Sequence, residues 1–268
     1  MKFYVLSEDS IPRLTTAQMV EVDRLMTEEY HIELLQMMEN AGRCLAILAV
    51  RRFLKKKLKK KRVIVLAGTG GNGGGALVSA RRLHSWGANV SVYLSSGEEK
   101  MTPVPLHQLD ILKRMGVKIK SGGELPQAEP VALVIDGLLG YSIGGDPAGL
   151  AKTMIEWANG QAAPVLSLDT PSGLDLTTGT VHLPTVRAAA TLTLALPKQG
   201  LFGENAVEVR GELYLADIGV PPELYAEPSL GLKVKRGLFA KSDVVKINPV
   251  SAEEEGEAGE EEGETDKD

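Results

Sequence analysis

The chain has 268 residues, of which 43% are hydrophobic, 24% charged and 4% aromatic, a balance that fits one α/β domain large enough to bury a substantial core. Its net charge of −5 conceals a division, because residues 253–268 carry ten acids against one lysine and the remainder is net +4. One cysteine, Cys44, excludes an intramolecular disulfide and suits a reducing cytosol. Without a signal-peptide core in MKFYVLSEDS or any stretch of membrane-spanning length, no membrane partner and a cytoplasmic location are expected.

Thr15 or Thr16 is placed to cap a first helix whose stripe is Met19, Val22, Leu25 and Met26. His31 follows as a surface or capping histidine. A second helix is predicted from about Glu33 to Leu54, with Met37 and Met38 as core packing. The run Lys55–Arg62 has seven cationic residues in eight. It reads as a solvated helix end facing a negative dipole, and without interleaved aromatics it does not indicate nucleic acid.

Val63–Ala67 is apolar, β-branched and too short for a helix, so it reads as a buried parallel strand. Eight residues rich in glycine follow, Gly68–Gly75, and then a helix with Leu77, Ala80 and Leu83 on one face. Strand, glycine loop and helix N-terminus together make an anion site, with a phosphate-bearing ligand as the first expectation. Gly68-x-Gly70-x-x-Gly73 matches the dinucleotide fingerprint formally. The acid that usually reads a ribose about twenty residues on is missing, and no Gly-Lys-Ser/Thr makes this a P-loop.

Further strands are expected at Val90–Leu94, Val117–Ile119, Ala132–Asp136, Val165–Asp169, Thr191–Leu196 and Leu213–Ala216. Helices between them include His107–Met115 and about Gly149–Asn159. This alternation argues a mostly parallel sheet covered on both faces, with ligands at the carboxyl ends of the strands. Two aspartates close apolar strands at that edge, Asp136 before Gly137 and Asp169 before Thr170-Pro171-Ser172-Gly173. A carboxylate there is costly unless paired, bound to a cation or used in chemistry, although a loop-capping role stays open. Lys198 lands on the same edge and is placed either to neutralise a phosphate, to adjust a carboxylate, or to lie exposed. Asn72, Asp136 and Ser172 offer oxygen ligands only, a weakly charged set that suits a monovalent cation if they converge. From about Ser251 the Glu/Gly-rich tail has no apolar residue beyond alanine and is expected to be disordered. One domain over residues 1–250 with a tail at 251–268 follows.

The ordered series Met38-Glu39-Asn40-Ala41-Gly42, Gly68–Gly75, Ile135-Asp136-Gly137-Leu138-Leu139-Gly140, Leu168-Asp169-Thr170-Pro171-Ser172-Gly173 and Leu196-Pro197-Lys198 resembles the NAD(P)H-hydrate epimerase family, the YjeF N-terminal domain. With Leu215–Pro222 the likeness covers about residues 13–225. It implies a Rossmann-like three-layer αβα sandwich and an isomerase that interconverts the R and S forms of NADHX and NADPHX. A separate dehydratase would then restore the S form, and a homodimer is an open expectation. The resemblance puts a potassium ion on Asn72, Asp136 and Ser172. It puts the hydrated nucleotide against Gly71, Asn72, Gly73, Gly74 and Gly75, against Gly140, Tyr141, Ser142, Ile143, Gly144, Gly145 and Asp146, and against Asp169. The family loop usually reads Asn-Asn-Gly-Gly-Asp-Gly, and here Gly71 and Gly75 replace its first asparagine and its aspartate.

Within that reading the substrate hydroxyl sits beside the ring nitrogen and leaves with lone-pair assistance, so an acid and a base suffice. Asp169 is expected to carry that chemistry, with Lys198 as electrostatic helper. A second reading is a catalytically degenerate nucleotide-binding or scaffolding module of the same fold, suggested by the altered loop and the acidic tail. A third, an NAD-dependent oxidoreductase, lacks the ribose-reading acid.

Overall fold

A computed structural model describes residues 3–55, 58–127, 130–141 and 143–248. Lys56 and Lys57 of the basic run, Ser142 and the acidic tail therefore lie outside the described residues.

Helix α1 (Thr16–Arg24) starts where the sequence predicts, because Thr15 and Gln18 cap each other reciprocally. Thr15 Oγ1 accepts from the Gln18 amide at 3.1 Å, and Gln18 Oε1 accepts from the Thr15 amide at 2.9 Å. It winds on through a π-helical turn, Leu25–Glu29. Helix α2 (Leu34–Leu48) likewise passes into a π-helical stretch, Ala49–Leu54, so the predicted span holds with a change of pitch near its end.

Among the described residues nine strands form one sheet. In chain order they are β1 (Tyr4–Ser7), β2 (Arg62–Ala67), β3 (Asn89–Leu94), β4 (Lys118–Ser121), β5 (Leu133–Gly137), β6 (Val165–Leu168), β7 (Ala190–Leu194), β8 (Glu212–Ala216) and β9 (Val244–Asn248). Their order in space is β1-β9-β8-β7-β6-β5-β2-β3-β4. Every pair is parallel except β8 with β9. From β2 the chain moves outward through β3 and β4, then returns to β5 on the other side of β2 and continues the opposite way. Between β2 and β5 lies the topological switch point, where doubly wound sheets place their ligands.

Helices α3 (Gly71–Ser85), α4 (Pro103–Arg114) and α5 (Gly149–Asn159) follow β2, β3 and β5. Alternate residues of a strand face opposite sides, and both sides are apolar here. Val63 and Val65 pack with Leu77, Ala80 and Leu83 of α3 and with Leu45 and Leu48 of α2. Ile64 and Leu66 pack with Met154 and Ile155 of α5 on the other face. The result is the three-layer α/β architecture expected.

A separate apolar cluster places the site. Met19 and Val22 of α1 and Met26 of the π-helical turn pack on Ala195, Leu196 and Ile218, which lie just beyond β7 and β8. Backbone bonds fasten the same corner, from Leu14 N to the Pro197 carbonyl at 2.8 Å and from Gln199 N to the Leu14 carbonyl at 2.9 Å. The N-terminal helix is thereby held against the carboxyl edge of the sheet.

Candidate active site

The site is built where β2, β5, β6 and β7 end. Gly68–Gly70 is the true loop, and α3 begins at Gly71, five residues before the helix the sequence predicts at Ala76. Gly71, Asn72 and Gly73 lie on the wall of a cleft of about 620 Å³, within the size range of small-molecule and cofactor sites. The glycines after them serve packing instead. A side chain at Gly74 would collide with Met38, and a Cβ at Gly75 would sit 2.5 Å from Leu168 Cδ2. Gly74 and Gly75 are buried one layer behind the surface of the cleft, against Met38 and Leu168, which line it.

Asp136 ends β5 fully buried, and its register explains its partners. It lies beside Ser167 of β6, whose hydroxyl donates to Oδ2 at 2.8 Å. The Ser172 amide donates to Oδ2 at 2.9 Å and its hydroxyl to Oδ1 at 2.6 Å, while Leu138 N donates to Oδ1 at 3.2 Å. Burial pushes this carboxyl above the ordinary range, and the bonds from Ser172, Ser167 and Leu138 oppose the shift. Asn72 joins the same turn, its Nδ2 donating to the carbonyls of Leu139 at 3.1 Å and Leu168 at 2.8 Å, while Ser172 Oγ accepts from Leu139 N at 2.9 Å. The three residues thus converge around Leu138–Leu139. Among the described residues no cluster of three or more His, Cys, Asp or Glu could hold a metal. At this turn Asn72 presents its amide nitrogen, and both Asp136 oxygens accept from protein donors.

Asp169 and Lys198 form the second arrangement. Lys198 is completely buried and Asp169 nearly so. The ammonium donates to Asp169 Oδ1 and to the Leu194 carbonyl, the latter at 2.9 Å. Oδ1 also accepts from Thr193 Oγ1 and Leu194 N, each at 3.2 Å. Two non-glycine residues adopt left-handed backbone around this pair, Asp169 with φ +64° and Ala195 with φ +61°. Such conformations cost on the order of 1–3 kcal/mol each and concentrate at functional sites. Asp169 reaches the cleft wall, whereas Lys198 lies beneath it, so of its three open roles the geometry supports the one of adjusting a carboxylate.

The segment after β5 divides. Gly140, Tyr141 and Ile143 line the cleft. Gly144, Gly145 and Asp146 lie off it, and Asp146 Oδ1 instead accepts from the Leu183 amide at 3.1 Å and meets His182 Nδ1 at 3.2 Å. Met37 and Met38 are buried as predicted but also contribute to the cleft wall. His31 is exposed, with φ +53°.

One site residue escapes the sequence reading. Asp23 of α1 lines the cleft and accepts from Tyr141 Oη at 3.0 Å. Burial pushes its carboxyl above the ordinary range, with the Tyr141 bond and the Lys198 charge opposing and the Asp169 charge reinforcing the shift.

A buried carboxylate–ammonium pair lies at a cleft beside a glycine-rich helix start, at the switch point where doubly wound sheets of the Rossmann type place their ligands. A family model described as YjeF-related protein N-terminus matches residues 34–200. The chain belongs to this family. It is 38% identical over 251 residues to a protein of Dehalogenimonas lykanthroporepellens named NAD(P)H-hydrate epimerase, covering 92% of this chain and 97% of that one. A Rhodopirellula baltica protein of the same name is 32% identical, over 82% of this chain and 89% of that one. The Moorella thermoacetica bifunctional NAD(P)H-hydrate repair enzyme Nnr is 32% identical over 86% of this chain, which spans 45% of its length. In fold the chain is similar to the crystal structure of yeast ynu0, with a TM-score of 0.74 at 24% identity, covering 88% of this chain and all of that one.

Proposed function

We propose that the protein is an NAD(P)H-hydrate epimerase, interconverting the R and S forms of hydrated NADH and NADPH and supplying the S form to a dehydratase. The observation that carries this is the Asp169–Lys198 pair at the cleft, in a chain nearly coextensive with a relative of that name. Epimerisation at a carbon beside a ring nitrogen needs the C–O bond to break and re-form, which calls for a positioned carboxyl group and no redox change. Asp169 is that group. Lys198 holds Oδ1 and so fixes which way the carboxylate faces. Gly71, Asn72 and Gly73 bring helix N–H groups and close backbone approach to the nucleotide phosphates, and Gly140, Tyr141 and Ile143 form the facing wall.

Asn72, Asp136 and Ser172 are the residues that would hold a potassium ion. It would supply a positive charge beside the buried Asp136 carboxylate, relieving the cost that burial imposes, and would stiffen the Leu138–Leu139 turn.

The alternative reading, a catalytically degenerate binding module, rests on Gly71 and Gly75 standing where the family has an asparagine and an aspartate, and on the acidic tail. A Cβ at Gly75 would meet Leu168 and Ala41, which line the cleft, and the epimerase reading is preferred on the Asp169–Lys198 pair and the nearly coextensive relative. Incubation with R-NADHX and a dehydratase that consumes only the S form tests it.

A further inference from the structure

Epimerisation moves two protons, one onto the hydroxyl that leaves and one off the water that returns. Asp169 is poorly placed to do both. Its Oδ1 already accepts from Lys198, Thr193 and Leu194, so one of its two oxygens is engaged by the protein. A second carboxyl shares the cleft. Asp23 on α1 has the Tyr141 hydroxyl as its side-chain partner. Its neighbour Arg24 is occupied by Glu21, Glu28 and Glu29.

We propose that Asp23, oriented by Tyr141, is the second proton-transfer residue of this site, protonating the departing hydroxyl while Asp169 deprotonates the incoming water. The assignment rests on the epimerase reading. In the R to S direction the Asp23 carboxyl gives its proton to the hydroxyl oxygen, and the C–O bond breaks with its electrons leaving in water. The ring-nitrogen lone pair closes a C=N⁺ bond. Water then adds to the other face of that carbon, a C–O bond forms, the C=N⁺ electrons return to nitrogen, and the released proton goes to Asp169. One proton enters and one leaves, and nothing is oxidised or reduced.

The groups around Asp23 support a carboxyl that carries a proton. Facing it are Tyr141 from the segment after β5, Asp169 after β6 and Lys198 after β7, with Arg24 and Glu28 nearby on the cleft wall. Burial dominates and raises its proton affinity, and the Asp169 charge adds to that, against the Tyr141 bond and Lys198. Tyr141 Oη donates to Oδ2, which leaves Oδ1 as the oxygen that can hold and deliver the proton.

The test is the pH profile of R-to-S conversion in the coupled assay for the full chain and two variants. Asp23 acts as acid only while protonated, so the wild-type rate falls as pH rises through its raised pKa. Asp23→Asn keeps an oxygen for Tyr141 but cannot give a proton. Its kcat should drop about 10²-fold or more with KM little changed, and the alkaline fall should vanish. Tyr141→Phe removes a bond that favours the charged form, so the fall should move to higher pH, a shift that a merely structural tyrosine would not cause. Melting of Asp23→Asn should stay close to wild type, because asparagine matches the protonated carboxyl in shape and keeps an acceptor for Tyr141. An active wild type whose Asp23→Asn variant keeps its kcat, or whose profile ignores Tyr141→Phe, overturns the assignment and leaves the epimerase reading intact. A wild type that gives no acceleration removes both.

Discussion

Lys198→Met probes the buried pair directly. The Lys198 side chain is 0% and the Asp169 side chain 4% exposed, so neither charge is screened by water. Methionine fills most of the volume but removes the donors to Asp169 Oδ1 and to the Leu194 carbonyl. Stripping one partner from a buried pair leaves the other charge uncompensated and costs about 3–5 kcal/mol. At roughly 2–4 °C per kcal/mol for a domain of this size, melting should fall by about 6–20 °C. Asp169→Asn combined with Lys198→Met leaves no unpaired charge and should recover part of the loss, giving a coupling energy on the order of 1–3 kcal/mol. Urea unfolding of the two single variants, the double variant and wild type measures it. A Lys198→Met loss below about 1 kcal/mol, the behaviour of a surface pair, would refute the reasoning, as would strictly additive single variants.

Two further predictions concern the glycine-rich segment and the cation. Gly75→Asp should destabilise by about 1–3 kcal/mol in urea unfolding, because its Cβ would meet Leu168 Cδ2 at 2.5 Å and bury a carboxylate. Gly71→Asn should stay within about 0.5 kcal/mol of wild type, since a Cβ there meets nothing within 4 Å. If potassium binds at Asp136, potassium chloride should raise the melting temperature more than equal lithium chloride, and Asp136→Ala should erase the difference. Equal melting in both salts would remove the potassium proposal.

How much was legible in the sequence follows from where the information lies. Val63–Ala67, Leu133–Ile135 and, apart from Ser167, Val165–Leu168 are apolar runs because both faces of the sheet are covered, so their strand character and the two aspartates that follow could be read locally. The start of α3 could not. Gly71, Gly73, Gly74 and Gly75 have the poorest helix propensity short of proline, yet they are helical. Gly73 packs against the Gly68 backbone, Gly74 against Met38 and Gly75 against Leu168, and tertiary contact outweighs propensity there.

The edge strand β1 and its neighbour β9 were missed for a different reason. Tyr4–Ser7 is short and largely exposed, and Val244–Asn248 is identifiable only by its pairing with β8 and β1. Asp23 sits between Val22 and Arg24 in an amphipathic helix, where an acid reads as part of the solvated face. Only the packing of Met19, Val22 and Met26 onto Ala195, Leu196 and Ile218 turns it into the cleft. Its position in the helix was the one local signal, since a stripe that includes Met19, Val22 and Met26 places residue 23 at the border of the buried face.

The central claim is that this chain epimerises hydrated nicotinamide cofactors, and the most direct measurement uses R-NADHX with a dehydratase that acts only on the S form. Adding the protein should speed loss of the R form above its spontaneous rate in proportion to protein concentration, and Asp169→Asn should abolish the gain. No acceleration at saturating protein would contradict the account.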